Sequence, residues 1–112
     1  MRNQKLLLED ILTSINIIDS QMKNADEIKF KEDIHFQDVV IRRLSIIGEA
    51  YKNISKELKT KHKEVNWREI AGMRDFIIHE YFELNLDVIW KTIVEDLPVL
   101  KGNVTNMLKE LR

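Results

Sequence analysis

The sequence predicts an all-α fold, an antiparallel bundle of four or five helices, and three observations carry that expectation. Apolar residues recur at spacings of three and four over most of the chain. Glycine and proline are scarce, 3 and 1 among 112 residues, and no Gly-, Ser- or Pro-rich linker or internal repeat divides the chain. The length suits one domain over residues 1–112 whose helices, joined by short connections, pack around a single core.

The first helix is read from Leu8, Ile11, Leu12, Ile15, Ile18 and Met22, with Glu9, Asp10, Asn16, Asp19 and Lys23 mainly on the other side. A polar break from Lys23 to Glu32 follows. Phe36, Val40, Leu44, Ile47, Tyr51, Ile54 and Leu58 then repeat the pattern as one long second helix, with Asp33 as its N-cap. Gly48 inside that helix costs about 1 kcal/mol relative to alanine, which a close helix–helix approach would explain. Lys56 to Val65 reads as a connection. Asn66, with Glu69 three residues later, opens a third helix whose apolar face is Ile70, Met73 and Ile77. After a stop near Glu83 to Asn85, Leu86, Ile89, Trp90, Ile93, Leu97, Leu100, Val104, Met107 and Leu111 hold one helical phase. Pro98 falls within this run and predicts a kink or short break, with a fifth helix starting there.

The formal net charge of -1 lacks the overall basic excess of a non-specific nucleic-acid binder, so contact with RNA or DNA has to be local. Cysteine is absent, which excludes disulfides and thiolate metal sites. Glu9 and Asp10 interrupt the N-terminal apolar stretch too early for a signal peptide or membrane span, and the expected location is the cytoplasm.

No phosphate-binding Gly-rich loop and no paired-histidine metal pattern is present, so neither a metal nor a cofactor is expected. Chemistry is instead expected on the third helix, in Arg74-Asp75-Phe76-Ile77-Ile78-His79-Glu80-Tyr81. On a helix Arg74 and Tyr81 share a face, while His79 lies about 140° from Arg74, within reach of a long guanidinium side chain. Asp75 precedes His79 by one helical turn and is placed to orient the imidazole or stabilise its cation. A guanidinium beside an imidazole suits phosphodiester chemistry, because arginine neutralises charge developing on phosphate while histidine moves a proton near neutral pH. Against this stands the plainer reading, in which Arg74 and His79 are solvated residues of an amphipathic helix and Tyr81 is an edge-of-core aromatic. Lys59, Lys61, Lys63 and Arg68 likewise form either a path for a nucleic-acid backbone or a solvated loop. His35 and His62 have no partner identifiable from sequence.

Taken together, these residues resemble the HepT-like toxins, a minimal branch of the HEPN domains. Arg43-Leu44-Ser45-Ile46-Ile47-Gly48-Glu49-Ala50 resembles the family's second-helix signature. Trp67 precedes Gly72-Met73-Arg74-Asp75, His79-x-Tyr81 completes Arg-x4-His-x-Tyr, and Trp90 with Asp96-Leu97-Pro98 resembles the C-terminal part. Where many HEPN proteins carry asparagine after the arginine, this chain has Asp75, as HepT-like members commonly do.

The resemblance implies a HEPN-like bundle that forms a homodimer with two motifs facing one cleft. It also implies the toxin of a toxin–antitoxin pair, a metal-independent endoribonuclease acting on RNA or tRNA. The implied partner is a small MNT-type nucleotidyltransferase antitoxin that transfers AMP from ATP to the motif tyrosine. By position, Arg74 and His79 would be catalytic, Asp75 supporting, and Tyr81 the AMPylation acceptor. Cleavage through the RNA 2′-hydroxyl needs a base and an acid, and a dimer would supply the second histidine. The alternative is a non-catalytic helical partner of a nucleotidyltransferase, using the motif as a nucleotide-recognition surface.

Overall fold

A computed structural model describes residues 3–63 and 85–111. Helix α1 (Gln4–Met22) starts at Asn3, whose side chain accepts from the Lys5 N–H. The chain reverses through Asn24 at φ 62, a left-handed conformation that asparagine tolerates. The short α2 (Glu27–Glu32) is capped by Asp26, and α3 (Ile34–Lys52) by Asp33, which accepts from the Phe36 N–H at 3.2 Å. Helix α4 (Lys56–Lys61) is capped by Ser55. Beyond Asn85, α5 (Leu86–Lys91) passes through a π-helical stretch, Thr92–Asp96, into α6 (Leu97–Glu110). All regular structure among the described residues is helical, the all-α bundle that the periodicity predicts.

Helix α1 packs along both α3 and α6, and α2 packs on α3 and α5. The directions follow from two contacts. Gln4 Oε1 accepts from the Ser55 N–H at 2.8 Å, so the start of α1 meets the end of α3. Lys101 Nζ lies 2.9 Å from Asp19 Oδ2, so the end of α1 meets the start of α6. Hence α1 runs antiparallel to both. The core between them holds Leu8, Ile11, Ile15, Ile18, Val40, Leu44, Ile47, Ile93, Leu97, Val104 and Met107, all nearly inaccessible. Gly48 is also buried, which a close approach requires.

Three boundaries differ from the sequence reading. The polar break contains a turn of helix, α2, because Phe30 is fully buried against Phe36 and Trp90, with ring centroids 5.2 and 5.5 Å away. The long second helix stops at Lys52: Asn53 and Ile54 close a turn onto Ala50 and Tyr51, and Ser55 starts α4 inside the expected connection. Ile54 and Leu58 remain buried on either side of Ser55, so the apolar period persists while the helix does not.

Pro98 is the second residue of α6, so a helix starts within one residue of where the proline predicts one, while the backbone stays helical from Lys91 to Leu97 with no full break. The chain instead widens just before it, with the Leu97 N–H reaching back to the Thr92 carbonyl. A wider turn at this point accommodates the proline ring, which clashes with the preceding turn in a regular α-helix. The apolar phase continues through this region as far as Leu108, and Leu111 is exposed.

Candidate functional site

The sequence-predicted site residues Arg74, Asp75, His79 and Tyr81, with the Asn66 cap and the third helix, lie outside the described residues. What the structure places is the scaffold on either side of them.

At one end of the bundle, the start of α1 and the ends of α3 and α6 gather around α4. Leu58 and His62 are its buried residues, on the side opposite Lys56 and Thr60. His62 Nε2 lies 3.1 Å from Glu110 Oε2, at the last residue of α6. Lys59 Nζ sits 3.9 Å above the Tyr51 ring centroid, a cation–π contact onto α3, and partial burial there pushes its ammonium pKa down. Gln4 bridges the α3–α4 turn, accepting from the Ser55 N–H and donating to the Asn53 carbonyl at 3.4 Å. Lys63, the last described residue before the motif, therefore follows a helix fastened to three others.

At the opposite end, Asn85 opens α5 by accepting from the Asp87 and Val88 N–H groups. Asp87 in turn accepts a hydrogen bond from Lys31 of α2, and this contact is the chief reason that the Lys31 pKa is raised. The Trp90 ring then packs on Phe30. Lys63 and Asn85, the residues that flank the motif segment, thus stand at opposite ends of the bundle.

Sequence reasoning missed the partner of His62 and the role of Gln4. Neither contact has a local signal: His62 and Glu110 are far apart in the chain, and Gln4 precedes the hydrogen-bonded atoms of Asn53 and Ser55 by 49 and 51 residues. Among the described residues no group of three or more His, Cys, Asp or Glu could hold a metal ion, and no helix is long and apolar enough to cross a membrane.

The HepT-like family, described as ribonuclease HepT-like, matches residues 11–107 of the chain, and the chain belongs to that family. Among its relatives is a protein of Thermococcus cleftensis named "Probable ribonuclease HepT", 44% identical over 108 residues, which cover 96% of this chain and 98% of that protein. Another is a "Putative RNase" of Caldanaerobacter subterraneus subsp. tengcongensis, 40% identical over 110 residues and 98% of both chains. A third, from Methanocaldococcus jannaschii, is 38% identical over 110 residues. This chain spans 50% of that protein's length, and its name joins a gamma-glutamylcyclotransferase to a putative RNase. No solved structure matches the chain.

Proposed function

We propose that this protein is a metal-independent endoribonuclease, the toxin of a toxin–antitoxin pair, acting in the cytoplasm on RNA or tRNA. The observation that carries the reading is the family match over residues 11–107, an interval that contains the whole Arg74-x4-His79-x-Tyr81 motif. Relatives covering nearly the full chain are named as ribonucleases, which supports the same reaction class.

The chemistry assigned to the residues is acid–base displacement at phosphorus. A neutral His79 takes the proton of the 2′-hydroxyl as that oxygen bonds to the adjacent phosphorus. The 5′-oxygen leaves with a proton from a second, protonated imidazole, giving a 2′,3′-cyclic phosphate and a 5′-hydroxyl end. Arg74 holds the phosphoryl oxygens with its planar fork while negative charge builds on them. Asp75 orients His79. One chain offers a single histidine at the motif, so the proposed active unit is a homodimer whose two motifs share a cleft.

Tyr81 is the proposed control point. Attack of its hydroxyl on the α-phosphorus of ATP, within an MNT-type nucleotidyltransferase, forms a tyrosyl–AMP ester and releases pyrophosphate. The attached phosphate and base then occupy the place of substrate beside Arg74. Induced expression in cells tests the reading. Wild-type protein should arrest growth and leave cut RNA with cyclic phosphate ends, and Arg74→Ala should do neither. Arrest by the Arg74→Ala protein at wild-type strength rejects the assignment.

A further inference from the structure

We propose that the lysine-rich strip from Lys52 through α4 to Lys63 is the docking surface for the sugar–phosphate backbone of the RNA substrate. The proposal rests on the ribonuclease reading above and adds to it a surface made of described residues. Between positions 52 and 63 the chain carries Lys52, Lys56, Lys59, Lys61 and Lys63 against the single acid Glu57, a local excess of four positive charges in a protein of net charge -1. The rest of the molecule is therefore net acidic, and this strip is where a polyanion gains attraction.

Three features make it a binding surface rather than a solvated loop. First, Lys52, Lys56, Lys61 and Lys63 are exposed. No carboxylate pairs with them among the described residues, which is also true of the scattered Lys23, Lys29, Lys91 and Lys109, but here four such lysines fall within positions 52–63. Second, the strip is held in place by Leu58 and His62 in the core, by Lys59 on the Tyr51 ring, and by Glu110 and Gln4 from two other helices. A fixed array of charges loses little conformational freedom on binding beyond that of its own side chains. Third, its apolar residues Ile54 and Leu58 are buried, and none of the exposed large hydrophobics falls within it. Protein interfaces use aromatic and apolar anchors and are depleted in lysine, so this surface suits a phosphate backbone better than a protein partner. In sequence it ends eleven residues before Arg74, the residue proposed to hold the phosphate.

The test compares the full-length protein with its Lys56→Gln/Lys61→Gln/Lys63→Gln and Lys56→Arg/Lys61→Arg/Lys63→Arg variants. Lys59 is left intact because it fastens α4 to Tyr51. Binding of a labelled single-stranded RNA is followed by fluorescence anisotropy across a salt series. The glutamine variant should bind on the order of tenfold more weakly at about 0.1 M salt, with a dependence of log Kd on log salt shallower by about two units for three lost phosphate contacts. It should raise KM for RNA and leave kcat and thermal unfolding near wild type, while the arginine variant should keep the wild-type slope. If wild type binds RNA and the glutamine variant matches it in Kd and slope, the strip is not the docking surface. A glutamine variant that binds RNA normally and loses association only with the nucleotidyltransferase would make it a protein-docking surface and overturn the proposal in another way. If wild type neither binds nor cuts any RNA, the ribonuclease reading fails, and the docking proposal fails with it.

Discussion

His62 Nε2 lies 3.1 Å from Glu110 Oε2, tying the end of α4 to the last residue of α6 across the end of the bundle. The histidine is 5% exposed, whereas the glutamate side chain is 52% exposed, so the two ends of the contact should respond differently to removal. His62→Ala removes a buried ring and its polar contacts and should cost about 1–3 kcal/mol. Glu110→Ala leaves water free to replace a half-exposed carboxylate and should cost below about 1 kcal/mol. Urea denaturation of both variants checks this. Equal losses would mean that the contact with Glu110, not the burial of the ring, holds α4.

Phe30 is the sole fully buried side chain of α2 and touches both Phe36 and Trp90. Phe30→Ala should cost about 3–5 kcal/mol, the range for deleting a core aromatic ring. Cooperative unfolding followed by Trp fluorescence measures it. A loss under about 1 kcal/mol would mean that α2 is an ornament on the bundle rather than part of its core.

Lys31 has a pKa raised above 10.5, chiefly by its hydrogen bond to Asp87. A raised folded-state pKa contributes stability that is fully present below the unfolded value and is lost as pH climbs through the folded value. The stability gap between wild type and Lys31→Gln should therefore be constant through the neutral range and close above about pH 10.5. It should also shrink with added salt, because both side chains face solvent. A gap that widens in alkali contradicts the assignment of the contact.

Co-expression with a cognate nucleotidyltransferase should add AMP to Tyr81 and silence the protein. Tyr81→Phe keeps the ring, lacks the nucleophilic oxygen, and should remain folded and toxic with the partner present. Intact-mass and peptide mass spectrometry locate the adduct. AMP found on another residue would move the acceptor away from Tyr81, and full suppression of toxic Tyr81→Phe without any adduct would assign inhibition to binding alone.

How much of this was legible in the sequence follows from the range of each interaction. The helical phase of Leu8 to Ile18, or of Ile89 to Met107, is a local property of the chain, and those residues form the core. The Asp33 cap is equally local and is present. Helix ends were less legible: the apolar period runs unbroken through Ile54 and Leu58 although a turn separates them, because periodicity records burial and not continuity. Phe30 gave α2 away only through a distant partner, Trp90. The basic cluster was visible as composition, but its anchoring by Tyr51, Glu110 and Gln4 depends on residues brought together by folding. The motif itself was read entirely from spacing and family likeness, and its residues lie outside those described.

The central claim is that the Arg74 and His79 motif cuts RNA without a metal. The direct measurement is a time course of purified wild-type protein and His79→Ala on the same RNA, with EDTA present and the folding of both checked by circular dichroism. The account predicts endonucleolytic products ending in 2′,3′-cyclic phosphate from wild type, and a loss of at least about a hundredfold in rate for His79→Ala, at the lower bound for a general acid–base group. Cleavage at the wild-type rate by a folded His79→Ala protein, or wild-type cleavage abolished by EDTA, would contradict it.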